Sequence, residues 1–195
     1  MPSLPAAEPV DVIAVVSGSC SPVTATQIAW ARCNGFVVER LRLPALFNGQ
    51  AETEIERCVQ VAAQAAAQGR SPLLCSAEGP DDEAVRGFDA LAAAVSLSRE
   101  QAAQQIGQAL AEVMRRLLAR VPLQRVVVAG GDSSGEVASA LGIAALTVQA
   151  GLAPGAPLCR AWRDSAQSPP LEMVLKGGQM GAASFFGSVR AGRLL

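Results

Sequence analysis

Three apolar segments of the sequence are each followed by a glycine-rich or serine-rich cluster and then by the start of a helical pattern. The clusters cover residues 17–22, 130–135 and 176–181. In an open α/β sheet, ligands bind outside the carboxyl ends of the strands. We therefore expect the three clusters to line a single crevice.

Apolar runs bounded by turn residues alternate with helical patterns along the chain. Residues 51–69 are rich in alanine, and the 100–121 segment places its apolar residues on one helix face. The predicted strands are Asp11–Val16, Gly35–Arg40, Ser71–Cys75, Arg125–Ala129 and Leu171–Leu175, with a short one near Pro157–Trp162. This alternation predicts an α/β fold of three layers, α/β/α, whose sheet is largely parallel or mixed.

Length and composition limit the organisation of the chain. With 195 residues, of which 50% are hydrophobic, we expect a single domain over 1–195, with 1–10 as a flexible amino-terminal segment. The net charge of -1 gives no long-range attraction for nucleic acid or anionic lipid. The sequence has neither a signal-peptide pattern nor a long apolar run, so we expect a soluble cytoplasmic protein that does not bind membranes.

The chain contains no histidine and no tyrosine. A Ser-His-Asp or Cys-His device and a histidine metal cluster are therefore excluded. The five cysteines are scattered and never spaced C-x-x-C, so we expect them to be reduced, buried and structural.

The first cluster has two interpretations. Ser21 suits a helix N-cap with Pro22 at the first helical position. Ser17 and Ser19 either serve only in the turn or present hydroxyls and amides to a nucleotide. The pattern alone does not separate these alternatives.

The second cluster reads Gly130-Gly131-Asp132-Ser133-Ser134-Gly135. Glycines let the backbone approach a phosphate closely, and free amides at a helix start form an anion site. The alternative is a capping box between Ser133 and Glu136. We favour phosphate binding, although Glu136 would repel a phosphate unless its side chain turns away.

The third cluster reads Lys176-Gly177-Gly178-Gln179-Met180-Gly181. Lys176 either places its charge on a phosphate or is a solvated lysine in a glycine turn. None of the clusters matches a Walker A motif or G-x-G-x-x-G.

Together, the segments 16–28, 130–135 and 176–181 resemble, in order and spacing, the four-carbon acid sugar kinase family. The similarity is to its carboxy-terminal nucleotide-binding domain and covers about 11–192. The sequence departs from the family pattern at Ser133, Gly177 and Met180, where threonine, serine and an aromatic residue are usual.

The resemblance implies ATP-dependent phosphorylation of small sugar acids such as threonate or erythronate. It assigns ATP contacts to residues of all three clusters: Ser17, Ser19, Gly130, Gly131, Asp132, Ser133, Ser134, Gly178 and Gly181. Family members have two domains, and the amino-terminal one supplies much of the acceptor site. We expect this chain to lack that domain and to work with such a domain or subunit, and a homo-oligomer stays open.

Phosphoryl transfer is the leading hypothesis for the chemistry. Lys176 would neutralise phosphate charge, and Asp132 would hold Mg²⁺ or orient the acceptor hydroxyl. One alternative is a nucleotide-binding or interaction module without catalysis. Another is an unrelated doubly wound enzyme, such as a nicotinamide-dependent one, against which the missing fingerprint counts.

Overall fold

A seven-stranded sheet runs through the computed structural model, which describes residues 6–163 and 169–193. In chain order the elements are β1 (Ala14–Ser17), α1 (Pro22–Cys33), β2 (Phe36–Arg40), α2 (Leu43–Phe47), α3 (Ala51–Ala67), β3 (Ser71–Cys75), α4 (Glu83–Arg86), α5 (Phe88–Ala94), α6 (Arg99–Arg120), β4 (Arg125–Ala129), α7 (Gly131–Ala140), β5 (Ile143–Ala150), β6 (Leu158–Arg163), β7 (Leu171–Lys176) and α8 (Phe185–Ala191).

The strand order is β2-β3-β1-β4-β7-β6-β5. The first five of these strands are parallel, and β6 is antiparallel to both of its neighbours. The predicted α/β fold is thus confirmed, and its sheet is mixed. β5 was not predicted as a strand.

Two hydrophobic cores lie on opposite faces of the sheet. Neighbouring strand residues alternate between them, so that Val16 and Val128 point to one face while Val15 and Val127 point to the other. Helices α1 and α8 cover the second face, and α2, α3, α5, α6 and α7 cover the first. The predicted three layers follow from this arrangement.

The longest helix, α6, confirms the helix predicted over 100–121. A capping box starts it, in which the Ser98 hydroxyl and the Gln101 side chain each accept a backbone N–H of the other residue. Its buried face includes Ile106, Leu110 and Leu117. The helix therefore begins by local hydrogen bonding and is fixed by packing against the sheet.

Half of the segment predicted to be flexible, residues 1–5, lies outside the described residues. In the other half, the amides of Ala7 and Val10 donate to the carbonyls of Gly192 and Arg190, each at 2.9 Å. The buried Arg125 also donates to the carbonyl of Glu8 at 2.8 Å. The segment from Ala7 to Val10 thus lies against β4 and α8, while its flexibility and the single-domain assignment stay predictions.

The five cysteines are free thiols, but only three of them are buried: Cys58, Cys75 and Cys159. Cys20 and Cys33 are exposed, so the prediction of burial is wrong for these two, which lie in the loop after β1 and at the last turn of α1. Burial raises the pKa of Cys58 and Cys75 to about 12. Within the described residues, no helix combines the length and apolarity needed to cross a membrane.

Candidate functional site

The three predicted clusters lie side by side at the carboxyl edge of the sheet. Ser17 at the end of β1 is in register with Ala129 at the end of β4, which is in register with Lys176 at the end of β7. Hydrogen bonding continues one step beyond the strands, from the Gly18 amide to the Ala129 carbonyl and from the Gly130 amide to the Lys176 carbonyl, each at 3.0 Å. The structure therefore joins the clusters into one edge.

The chain leaves these three adjacent strands toward different faces. After β1 it enters α1 on one face, after β4 it enters α7 on the other, and after β7 it returns to α8 on the side of α1. A crevice opens where neighbouring strands connect in opposite directions, and ligands of doubly wound sheets bind there. The start of α7 is consequently flanked by the other two clusters.

Close backbone contact holds the first two clusters together. A Cβ atom on Gly18 would lie 2.0 Å from the Ser133 Oγ, and one on Gly130 would lie 3.3 Å from both the Gly18 carbonyl carbon and the Ser19 nitrogen. Gly130 also has φ of +124°, a conformation that L residues rarely adopt. Glycine is therefore required at both positions by space or by backbone geometry.

The amino terminus of α7 has no side-chain cap. Its N-cap is Gly130, and the alternative capping box between Ser133 and Glu136 does not form. Glu136 instead packs against α6, where a Cβ on Gly107 would lie 3.1 Å from its Cγ. No side chain therefore caps the first amides of α7, and Glu136 is directed to the helix layer.

Lys176, the single lysine of the sequence, is only 1% exposed. Its Nζ donates to the Thr24 Oγ1 at 3.0 Å and to the carbonyls of Gly177 and Gly178 at 3.1 and 3.4 Å. In the described part of the chain, no carboxylate pairs with it within 4.0 Å. Burial lowers the pKa of this ammonium to about 8.

The N-cap residue Ser21 and two side chains of α1 hold the glycine turn after β7. The carbonyl of Gly178 accepts hydrogen bonds from the hydroxyls of Ser21 at 2.5 Å and Thr24 at 2.9 Å. The Gln27 amide Nε2 donates to the carbonyls of Met180 and Gly181 at 2.8 and 3.2 Å. Sequence reasoning did not assign these roles to Thr24 and Gln27. Their only signal is polarity at two positions, one helical turn apart, that the fold buries.

The two predicted site residues of the first cluster are both buried. In the first cluster, Ser17 is fully buried and its Oγ accepts from the Ser19 amide at 3.4 Å, while Ser19 is 7% exposed and lies against Gly178. In the third cluster, Gly181 has φ of +85°, and a Cβ on it would lie 2.5 Å from the Phe185 ring.

The second cluster contributes both exposed and buried groups. Gly131 and Asp132 are exposed, whereas Ser133 is buried. The Ser134 hydroxyl donates back to the Gly130 carbonyl at 2.7 Å. At the start of α7 the exposed residues of this cluster are therefore Gly131 and Asp132.

Asp132 supplies an exposed carboxylate at the start of α7, while Glu78 and Asp82, in the loop after β3, are paired with arginines. The described residues contain no group of three or more carboxylates or thiols that could hold a metal by themselves. Mg²⁺ usually keeps several waters and is bound by one or two carboxylates together with the phosphates of a substrate. An exposed Asp beside an uncapped helix terminus fits that chemistry.

A doubly wound α/β sheet with glycine turns around an uncapped helix terminus defines a nucleotide-binding domain. The family described as "Nucleotide-binding C-terminal domain" matches residues 14–186. The chain belongs to this family. The predicted membership of the four-carbon acid sugar kinases, as their carboxy-terminal domain, is thereby confirmed.

The curated relatives of the chain include kinases of oxo sugar acids. The chain is 64% identical over 194 residues to a 3-oxo-isoapionate kinase from Paraburkholderia graminis, covering 99% of this chain and 41% of the relative. It is 35% identical over 172 residues to a 3-oxo-tetronate kinase from Cupriavidus necator, covering 88% and 36%. The chain thus spans about two fifths of the length of these relatives.

The fold also occurs in a solved structure. Haemophilus influenzae protein HI1011 superposes with a TM-score of 0.73 over 95% of this chain and 41% of that one, at 23% identity. This likeness concerns the fold.

Proposed function

We propose that this chain is the ATP-binding part of a kinase that phosphorylates a small oxo sugar acid. The observation that supports it most is the alignment of the three clusters on β1, β4 and β7, which surrounds the uncapped start of α7. Phosphoryl transfer needs positioned positive charge and backbone amides around the transferred group. This edge of the sheet offers both.

In the proposal the ATP phosphates bind at the start of α7. The amides of Gly131, Asp132 and Ser133 point out of the first helical turn, where the helix dipole favours negative charge. Ser17 and Ser19 shape the neighbouring wall, and Gly178 lets the third turn approach Ser19. The phosphates thereby reach three turns at once.

Mg²⁺ would bind the phosphates together with the Asp132 carboxylate. The ion neutralises the charge of the transferred group when it is bound. Asp132 is exposed at the crevice, so water molecules can complete the coordination.

Lys176 supplies positive charge from beneath the glycine turn. Its ammonium is held by Thr24 and by carbonyls of the turn, so it acts on a phosphate across the turn. A charge in a buried, water-poor environment acts over a longer distance than one in water.

The acceptor is proposed to be an oxo sugar acid of the kind that the relatives' names give. The part of those relatives outside the match, about three fifths of their length, has room for an acceptor-binding domain. In this proposal the γ-phosphate faces that domain, so transfer requires both parts.

The test is calorimetric titration of the purified chain with ATP in the presence and absence of MgCl₂. We expect one site with a Kd in the range of about 1 μM–1 mM, which is usual for enzyme substrates. NAD is titrated in parallel. If NAD binds and ATP does not, the domain serves a different class of enzyme.

Catalysis is tested separately with radiolabelled ATP and 3-oxo-isoapionate or 3-oxo-tetronate. The chain is assayed alone and with the amino-terminal part of the Paraburkholderia graminis kinase added. We expect ATP binding by the chain alone and transfer only with the added part. ATP binding without transfer in either assay would favour the alternative of a non-catalytic nucleotide-binding module.

A further inference from the structure

An exposed apolar patch lies on the hairpin that β5 and β6 form at one edge of the sheet. Among the described residues, the exposed large hydrophobic side chains are Leu146, Val148 and Trp162, at 39%, 48% and 47%. All three belong to this hairpin. Single apolar residues are ordinary on a protein surface, whereas their concentration in one place marks an interaction site. The hairpin is separate from the three clusters, which follow β1, β4 and β7.

Both faces of the hairpin are open to solvent. Thr147 and Arg160 are opposite each other and share one face, on which the Trp162 indole N–H donates to the Thr147 hydroxyl oxygen at 2.9 Å. The guanidinium carbon of Arg160 lies 4.3 Å from the centre of the Trp162 ring. Leu146 and Val148 alternate with Thr147 and lie on the other face. Since residues 144–149 are all exposed, no described helix covers either face of β5 there.

β5 is also an unprotected edge strand. In the described part of the chain it pairs with β6 alone, and its sequence, IAALTVQA, has neither a charged residue nor a proline. Edge strands are normally kept from pairing with other chains by such residues or by a cover. The opposite edge strand, β2, has both, since it ends in Glu39 and Arg40, and Arg57 of α3 donates to Glu39 at 2.6 Å. The contrast indicates that β5 is open to a further strand.

The lack of charge on β5 favours a second copy of the same chain as the source of that strand. In a pair of strands related by a two-fold axis, the same surface is used by both partners. A charged residue near the axis would therefore face its own like charge, which destabilises a strand pair. β5 meets the condition for self-pairing because none of its eight residues is charged.

We propose that two copies of the chain join their sheets by pairing β5 with β5, antiparallel, about a two-fold axis at Thr147. β5 is regular over 145–148, between register irregularities near its two ends, and such bulges end a pairing. The axis sets Leu146 opposite Val148 of the second copy on one face, and Thr147 opposite its own counterpart on the other. Apolar pairs and threonine pairs both stabilise antiparallel strands. The two seven-stranded sheets thereby become continuous.

The charges closest to the axis do not oppose this pairing. Arg160 lies one strand behind Thr147, so the two copies of Arg160 are three strand spacings, or about 14 Å, apart. The Debye length is about 10 Å at 0.1 M salt. The repulsion between these two exposed guanidinium groups is therefore largely screened.

The size of the patch sets the strength of the dimer. The hairpin exposes eight residues, 144–149, 160 and 162, whereas stable interfaces use about 20–30 residues from each partner. We therefore expect a weak dimer. Sedimentation velocity of the purified chain from about 1 μM to about 1 mM covers the Kd of such complexes.

The first test places a charge in the proposed interface. Val148→Lys replaces a half-exposed apolar side chain by an ammonium, whose two copies would have Cα atoms about 8 Å apart in the dimer. We expect this change to raise the dimer Kd at least tenfold. Ala67→Lys introduces the same charge at an exposed position of α3 and should leave the Kd unchanged. Thermal unfolding verifies that both variants are folded.

The second test measures the register by crosslinking. In a chain whose exposed Cys20 and Cys33 are changed to serine, Thr147→Cys sets two thiols opposite each other, within the Cα separation of about 4.4–6.8 Å that a disulfide spans. The control is Ala145→Cys, on the same face of the same strand, whose two copies would be about 14 Å apart. With an added oxidant, Thr147→Cys should form a covalent dimer on non-reducing electrophoresis, and Ala145→Cys should stay monomeric.

The outcomes decide between occupants of the patch. The proposal is overturned if the wild type is monomeric at every concentration, or if Val148→Lys dimerises as the wild type does. Equal crosslinking of Thr147→Cys and Ala145→Cys contradicts the axis at Thr147. If the wild-type chain alone is monomeric and Val148→Lys weakens its binding to the amino-terminal part of the Paraburkholderia graminis kinase, that part covers the hairpin and the second copy is excluded.

Discussion

The ammonium of Lys176 lies 3.0 Å from the hydroxyl oxygen of Thr24, across 152 residues of sequence. This contact ties the end of β7 to the first turn of α1, and the carbonyl of Gly178 joins it by accepting from the same threonine. The cation is thus solvated by a hydroxyl and by backbone carbonyls instead of by a carboxylate. Among the described residues, no carboxylate forms an ion pair with it within 4.0 Å.

The first prediction concerns the effect of pH on stability. Lys176 has a pKa of about 8 in the folded chain and an ordinary value of 10.5 when unfolded, so between these pH values the unfolded state binds more protons. The contribution of Lys176 to the free energy of unfolding therefore rises as the pH increases from about 8 to 10.5. Below about pH 8 the folded state bears the full cost of burying the charged ammonium. Lys176→Met should lack this rise in urea unfolding series measured from pH 7 to pH 10.5.

The buried thiols of Cys58 and Cys75 have the opposite effect on stability, because they lower the free energy of unfolding as the pH rises. Their raised pKa values make the folded state hold protons that the unfolded state loses, in wild type and variant alike. The difference between the two proteins therefore isolates the lysine. Because the chain has one lysine, its Nζ resonance gives the pKa directly by NMR, and a value near 10.5 would contradict the prediction.

The second prediction compares two adjacent glycines. A Cβ on Gly178 would lie 2.7 Å from the Ser19 Oγ, whereas the nearest atom to a Cβ on Gly177 is the Met180 Cγ at 3.4 Å. Gly178→Ala should therefore displace Ser19 and weaken ATP binding by about tenfold, or 1.4 kcal/mol. Gly177→Ala should stay within twofold of the wild type by calorimetry. Equal weakening of ATP binding by the two changes would show that the contact with Ser19 does not determine the affinity for ATP.

Most of the sheet could be predicted because its strands are buried on both faces. β3 and β4 are buried at every position, and their apolar runs end at turn residues. β5 could not be recognised in this way, since six of its eight residues are exposed and its sequence does not alternate. The short helices α2, α4 and α5 contain too few residues to establish a 3.6-residue period.

The positions of the three clusters could be predicted because their signal is local. The glycine and serine clusters can be read from sequence because each follows its own strand. The hydrogen bonds of Thr24 and Gln27 could not, because their partners lie more than 150 residues away. The burial of Lys176 was equally hidden, since an isolated lysine next to glycines is ordinarily solvated.

The third prediction concerns the backbone at the start of α7. Gly130 has φ of +124°, and a Cβ there would press on the Gly18 carbonyl carbon and the Ser19 nitrogen at 3.3 Å. Gly130→Ala should therefore lower the free energy of unfolding by about 1–3 kcal/mol.

Gly135, in the same helix, has no neighbouring atom within 4 Å of its Cβ position. Gly135→Ala should raise the free energy of unfolding by about 0.5–1 kcal/mol, because alanine is the better helix former. Urea unfolding measures both, and destabilisation by both changes would mean that helix α7 tolerates no side chain here.

The last prediction concerns the magnesium dependence of ATP binding. Asp132 is the exposed carboxylate at the start of α7, and a lone carboxylate with phosphates and water is sufficient for Mg²⁺. Asp132→Asn keeps the shape of the side chain but removes its charge. In the wild type, MgCl₂ should strengthen ATP binding, and in the variant this gain should fall by about tenfold, or 1.4 kcal/mol. Without magnesium the variant should bind ATP at least as well as the wild type, because a negative charge next to the phosphates has been removed. Asp11→Asn, at an exposed position before β1 and thus at the opposite edge of the sheet, serves as the control and should leave both titrations unchanged. A full magnesium effect in Asp132→Asn would assign the ion to the phosphates alone.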